Sequence, residues 1–344
     1  MGKMLKNIIV IVSFISMALM TCPTFAADYP NFIIMGWDGA GLRNVQLLLE
    51  QERLPNLKRL IQRQEGITLI PTPLHGRTCT VPMWTEFFTG LTWDQTGVLG
   101  NYRATPKSLS ELAKYNEKNH VNKGLDFWVM GLPSDWCFVN DFKKLEYKVG
   151  WFTAKRFVSN NCDLSPLCHC AELADTNLIA APAALDDNSD PDNYLPILTD
   201  AAMNFISNTK QPFLVFLHVD PDYYGHHYGE NSARYLEEFE RADNVLGQLI
   251  DSMLGTDTKF LIIADHGFDE SKNKHYNAPD SWMAGNIPIH RAYWLRDGQK
   301  AFASLIDWRP TLLEFLGINW KGYTPMLRGK SLLDADIMID RAHR

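Results

Sequence analysis

Three apolar runs constrain this chain more than any other feature: residues 32–37 (FIIMGW), 213–219 (FLVFLHV) and 260–264 (FLIIA). Their side chains are apolar toward both faces, the condition of strands buried within a parallel sheet and not of strands with one solvated face. Between and around them lie stretches with helical spacing, at 42–49, 57–64, 81–89, 109–115, 197–206, 233–254 and 310–316. The alternation predicts an α/β fold with a central, mostly parallel sheet.

The residues just after each run carry the chemistry. The first run ends in Gly36-Trp37-Asp38-Gly39, the second in Asp220-Pro221-Asp222 with Gly225-His226-His227 after it, and the third in Asp265-His266-Gly267. In open α/β sheets ligands sit beyond the carboxyl ends of the strands, so Asp38, Asp222, His226, Asp265 and His266 are expected at one edge. One carboxylate at a strand end is usually a helix cap; three ends carrying Asp and His together are hard to explain that way. Imidazole with carboxylate suits zinc or a similar transition metal, whereas calcium and magnesium prefer oxygen alone. His275 is either the remaining ligand or a solvated loop histidine. His218 and His227 are read as packing or ligand-supporting residues, because neighbours of a ligand on an extended segment point away from it.

A nucleophile candidate lies just after Thr78. In Thr80-Val81-Pro82-Met83-Trp84-Thr85-Glu86-Phe87-Phe88-Thr89-Gly90, Pro82 suits the first turn of a helix and Gly90 its end. Thr80 then lies at a helix N-terminus, where backbone N–H groups favour an alkoxide or a bound phosphoryl group. Without a metal the same threonine would be a plain N-cap.

Composition bounds the remaining choices. A formal charge of −7 gives no basic surface for nucleic acid. Lys3 and Lys6, the apolar run 8–20 and Thr24-Phe25-Ala26-Ala27 have the order of a secretory signal, cleaved after Ala26, and its loss takes the charge to −9. The run is too short to span a membrane, which needs about 20 apolar residues, and Thr21 is bulky for a lipid anchor at Cys22. Residues 27–344 are expected to form a single exported domain, periplasmic or secreted. Residues 101–193 hold Cys137, Cys162, Cys168 and Cys170 and many aromatics, and read as an inserted cap. Its cysteines suggest one or two disulfides, with a metal knuckle at Cys162, Cys168, His169 and Cys170 as the lesser alternative. Trp128, Trp136, Trp151 and Phe152 are candidates to stack on a substrate or to pack in the core.

Taken in order, Asp38 in its Gly-Trp-Asp-Gly turn, Thr80-x-Pro82, Asp222-x-x-Gly225-His226-x-x-Gly229 and Asp265-His266-Gly267 resemble the motifs of the alkaline phosphatase superfamily. The nearest branch is the type I phosphodiesterase/nucleotide pyrophosphatase family. Residues 306–317 and Gly329-Lys330-Ser331-Leu332-Leu333 are similar to its C-terminal helix and the segment after it. The resemblance implies an alkaline-phosphatase-like three-layer fold and two Zn2+ ions, with Mn2+ or another divalent metal as alternatives. One ion would be held by Asp38, Thr80, Asp265 and His266, the other by Asp222, His226 and His275. It also implies Thr80 as nucleophile through a phosphothreonine, and Asn101 as the holder of a phosphoryl oxygen, although Thr96 stands where the family has a histidine.

The implied substrate is a small phosphoryl compound, a phosphodiester or nucleotide pyrophosphate. A phosphomonoester or phosphonate on the same site is the alternative, with Arg77 and Arg103 as candidate cations for the extra charge. A sulfatase would need Cys or Ser in place of Thr80 and Arg in place of Trp84; Cys79 is one position out of register. A non-catalytic binding protein would lack a ligand or nucleophile, and none is missing.

Overall fold

The computed structural model describes residues 29–333, apart from 63–68, 73–77, most of 105–130, 181–190, 211, 277, 279–280, 290–302 and 324–326. The leader, Arg77 and most of the helix anticipated at 109–115 lie outside the described residues. The strands are β1 (Phe32–Trp37), β2 (Ile70–Thr72), β3 (Tyr102–Arg103), β4 (Phe127–Trp128), β5 (Lys148–Thr153), β6 (Thr176–Ile179), β7 (Phe213–Val219), β8 (Lys259–Ile263) and β9 (Ser281–Gly285). The helices are α1 (Leu42–Glu50), α2 (Pro55–Gln62), α3 (Thr80–Thr89), α4 (Trp93–Thr96), α5 (Phe138–Lys144), α6 (Cys168–Ala171), α7 (Tyr194–Asn208), α8 (Pro221–Tyr228), α9 (Ala233–Ser252), α10 (Trp308–Phe315) and α11 (Trp320–Tyr323). Among the described residues no helix is long and apolar enough to cross a membrane.

Seven strands pair in the order β2-β9-β8-β1-β7-β5-β6. From β8 to β6 every pairing is parallel, while β9 runs antiparallel to β8 and to β2. The three apolar runs occupy the adjacent central positions β8, β1 and β7, buried on both faces as their composition requires.

The pleat of β1 divides the core. Phe32 and Ile34 face a layer with Trp84, Phe87 and Phe88 of α3, Phe138 of α5 and Trp308 of α10. Ile33, Met35 and Trp37 face the opposite layer, with Val45 of α1, Leu57 of α2, Leu198 of α7 and Phe239 of α9. Helices therefore cover both faces of one sheet, a three-layer α/β architecture. Arg309 ties the first layer together from a buried position: it donates to Asp141 Oδ2 at 3.0 Å and to the carbonyls of Thr89, Trp136 and Asp135.

Residues 101–193 are not simply a cap. β5 and β6 lie inside that range and are strands of the main sheet, with Trp151 paired to Phe216 and Phe152 to Leu217. Trp151 and Phe152 are fully buried core residues, so neither is available to stack on a substrate. Among the described residues of this range, Cys137, Cys168, Cys170, Trp128 and Trp151 are buried in the core. Within the range Cys162 and Cys168 form a disulfide, which removes Cys168 from any metal knuckle.

Candidate active site

Four adjacent strands deliver the site. At the end of β1 the Asp38 N–H donates to Val219 O at 3.1 Å, and Asp38 O accepts from Asp222 N at 2.9 Å. Gly39 makes that approach possible: its φ is +69°, and a Cβ there would lie 2.5 Å from the Asp222 Cβ. β7 runs into α8, whose N-cap Asp220 accepts from Tyr223 N. The segment is a helix and not the extended chain anticipated, so Asp222 and His226 share one face four residues apart, while the His227 ring packs on Tyr223. After β8, Asp265 and His266 are fully buried.

Two triads result. Ligand atoms of Asp38, Asp265 and His266 lie within 4.8 Å of one another, as do those of Asp222, His226 and His275. Thr80, at the first position of α3, faces the first triad, with its Oγ1 3.5 Å from His266 Nε2. Asn101 accepts from Val81 N at 2.9 Å through its Oδ1, which places it beside Thr80 with its amide nitrogen left as a donor. Every anticipated ligand residue, and Asn101 with them, thus gathers at one end of the sheet.

The histidines are oriented alike. His226 Nδ1 faces Asn273 O at 2.8 Å, His266 Nδ1 faces Gly267 O at 3.1 Å, and His275 Nδ1 faces Thr78 O. A carbonyl only accepts, so each Nδ1 carries the proton and each Nε2 presents a lone pair to the site. His226 Nε2 and His275 Nε2 consequently oppose each other at 3.1 Å, acceptor to acceptor. Asp222 Oδ1 lies 3.5 and 3.9 Å from them, and both it and Asp265 Oδ2 are buried with no hydrogen-bond partner among the described residues. Converging lone pairs and orphaned carboxylate oxygens fit a cation in each triad, and the mixed imidazole–carboxylate donors fit a zinc-type ion.

Sequence reasoning missed Lys155. It stands two residues beyond β5, and its Nζ donates to Asp38 Oδ1 at 2.6 Å and to Asp222 Oδ2 at 2.5 Å. Nζ is also 3.3 Å from Asp220 Oδ1 and 3.5 Å from Thr80 Oγ1. Its field sorts the carboxylates. Burial is the largest single influence on Asp38 and Asp222 and opposes their charge, but Lys155 together with His218 and His266 at Asp38, and with His266 and His226 at Asp222, outweighs it and holds both below the usual carboxylate range. Burial dominates at Asp265, pushed well up, and at Asp220, raised to about 8. His266 falls to about 3, through burial and then repulsion from His275.

His218, read as a packing or supporting residue, stands with its Nε2 3.0 Å from Asp38 Oδ2, which also accepts from Trp84 Nε1. Trp84, standing where a sulfatase would carry arginine, thus orients the Asp38 carboxylate. Arg103 pairs with Asp163 at the surface and lies over Trp128; among the described residues the cation beside Thr80 is Lys155.

Residues 32–311 match the family described as Type I phosphodiesterase / nucleotide pyrophosphatase. The chain belongs to this family. The type I phosphodiesterase / nucleotide pyrophosphatase family is named for the cleavage of phosphoric esters. A 2,3-bisphosphoglycerate-independent phosphoglycerate mutase of Syntrophotalea carbinolica is 30% identical over 146 residues, 42% of this chain and 27% of the mutase. The Listeria monocytogenes mutase is 27% identical over 146 residues, 41% of this chain and 28% of its own. The chain spans little more than a quarter of these curated relatives.

Solved structures agree on the fold of this family member. The C-terminal periplasmic domain of EcEptC from Escherichia coli, in complex with Zn, superposes with a TM-score of 0.56 at 13% identity, covering 90% of this chain and 88% of that one. A 2-O GAG sulfatase gives 0.60 at 15% identity, covering 88% and 73%. An alkaline phosphatase superfamily protein from Vibrio parahaemolyticus gives 0.51 at 19% identity, covering 89% and 70%. The type I phosphodiesterase / nucleotide pyrophosphatase chain thus shares its fold with an alkaline phosphatase superfamily protein.

Proposed function

We propose that the protein is an exported phosphodiesterase or nucleotide pyrophosphatase that uses two zinc ions and Thr80 as nucleophile. The observation that carries this reading is the convergence of two ligand triads on a threonine at a helix N-terminus. Asp38, Thr80, Asp265 and His266 would hold one ion, and Asp222, His226 and His275 the other. When bound, the ions supply Lewis-acid charge to the phosphoryl group and to the attacking and leaving oxygens.

The residues of the chain account for the rest. Thr80 Oγ1 gives up its proton to solvent and attacks phosphorus in line, the ester P–O bond breaks and the leaving oxygen departs with a proton from solvent. Water then cleaves the Oγ1–P bond of the phosphothreonine, restoring the hydroxyl and releasing the phosphate product. The N–H groups opening α3 and the Asn101 amide hold phosphoryl oxygens as charge develops on them. Carbonyls on the three Nδ1 atoms fix the rings in the tautomer that directs Nε2 inward. Burial of Asp38, Thr80, Asp265 and His266 keeps water away from the nucleophile's side of the site.

A phosphomonoester is the second reading, and Lys155 favours it: an ammonium 3.5 Å from Thr80 Oγ1 attracts a dianion more than a monoanion. A paired assay separates the two. The first reading expects bis-p-nitrophenyl phosphate and nucleotide pyrophosphates to be turned over faster than p-nitrophenyl phosphate, and the opposite ranking overturns it. The apolar leader with its small-residue boundary supports export; an N-terminus beginning after residue 26 in the mature protein is the expected finding.

A further inference from the structure

Lys155 is held by more carboxylates than an ion pair needs. Its Nζ contacts Asp38 Oδ1 at 2.6 Å, Asp222 Oδ2 at 2.5 Å and Asp220 Oδ1 at 3.3 Å, and its side chain is 13% exposed. Those three aspartates form a third acidic cluster, with ligand atoms within 4.8 Å of one another. Its chemistry differs from that of the triads. All its donors are carboxylate oxygens, a set that suits a hard divalent ion such as Mg2+ and not zinc. It also shares Asp38 with the first triad and Asp222 with the second, so whatever occupies it bridges the two metal sites. The ammonium already fills it, 2.5 and 2.6 Å from oxygens of Asp222 and Asp38 and 3.3 Å from Asp220.

We propose that Lys155 is the built-in third cation of this centre, occupying a position that would otherwise bind a divalent ion. The inference rests on the two-metal reading. Lys155 acts as a positioning residue: it offsets Asp220, ties Asp38 to Asp222 across the triads, and keeps a fixed positive charge beside Thr80. A charge delivered on a side chain cannot dissociate, so the enzyme needs two exchangeable ions and gains nothing from added Mg2+. No bond is made or broken by Lys155 itself.

Metal stoichiometry tests this without recourse to turnover. The zinc-loaded wild-type protein is expected to hold two divalent ions by elemental analysis and to show no Mg2+ binding by calorimetry. Lys155→Ala empties the seat and is expected to bind one Mg2+ per chain in addition to zinc. Lys155→Met fills the seat without charge and is expected to bind none. Hydrolysis is expected to fall at least about tenfold in both variants and to recover with Mg2+ only in Lys155→Ala. A third divalent ion in the wild-type protein overturns the proposal even if a variant fails to fold, and so does a folded, zinc-loaded Lys155→Ala that ignores Mg2+. Fewer than two ions in the wild-type protein would instead overturn the two-metal reading beneath it.

Discussion

Thr80 Oγ1 lies 3.5 Å from His266 Nε2, although 186 residues separate the two in sequence. The N-terminus of α3 thereby stands against the loop after β8, and the hydroxyl points at His266 instead of capping its helix. Thr80→Ala removes the hydroxyl and one methyl from a position 1% exposed and leaves the large apolar side chains of α3 in place. The expected result is an unchanged circular dichroism spectrum and metal content with diester hydrolysis reduced about 10³-fold or more. Retention of most of the activity would rule Thr80 out as the nucleophile.

The opposed lone pairs of His226 and His275 predict how metal content responds to mutation. In the second triad three side chains supply all the protein donors, so His226→Ala leaves two, too few to hold zinc tightly. Elemental analysis is expected to give about two zinc ions in the wild-type chain and about one in the variant. Because ligand that binds only the folded state stabilises it, zinc added to chelated wild-type protein is expected to raise its melting temperature, and less so in His226→Ala. Equal zinc content in the two proteins would sink the assignment of this triad.

Much of this centre is legible in the sequence because three of its four strands are apolar on both faces, a composition that by itself identifies buried parallel strands. Their carboxyl ends then name Asp38, Asp222, Asp265 and His266. β5 escapes for a physical reason: it begins with the exposed Lys148 and leads into a cysteine-rich connection, so its pattern reads as irregular. With β5 assigned to a cap, Lys155 just beyond its end has no strand to place it. The same assignment turns Trp151 and Phe152 into candidate ligand contacts, when strand pairing puts them in the core. Lone-pair orientation is not legible at all, because the carbonyls that set it, of Asn273, Gly267 and Thr78, are backbone atoms that carry no residue signature.

Arg309 supports a prediction about stability away from the chemistry. Its guanidinium and the Asp141 carboxylate are 1% and 0% exposed, and it also satisfies three carbonyls from α3 and the segment before α5. Removing one partner of a buried pair leaves an uncompensated charge, at a cost of about 3–5 kcal/mol. Arg309→Met is expected to lose about that much in urea unfolding. Arg309→Met/Asp141→Asn is expected to be less destabilised than the sum of its two single variants, because the orphaned charge is gone. Simple additivity would show that the pair is not coupled.

Glu86 predicts a pH dependence that owes nothing to metal. It lies on α3, is 5% exposed, and accepts a hydrogen bond from Trp93 N at 3.2 Å. Burial is the largest influence and Asp94 adds repulsion; together they outweigh the Trp93 bond and raise the carboxyl from 4.5 to about 7. The folded state therefore binds this proton more tightly than the unfolded state. The stabilisation is fully present below about pH 4.5 and is lost as pH rises through about 7, amounting to about 3 kcal/mol across that window. Glu86→Gln keeps the side-chain oxygen that accepts from Trp93 but cannot ionise. Its stability is expected to match the wild-type protein near pH 4 and to exceed it by about 3 kcal/mol at pH 8, a gap of roughly 5 °C in melting temperature. Thermal melts of both proteins at several pH values read this directly, and a gap that stays constant from pH 4 to 8 would show that the folded and unfolded states bind this proton equally, so that burial does not raise Glu86.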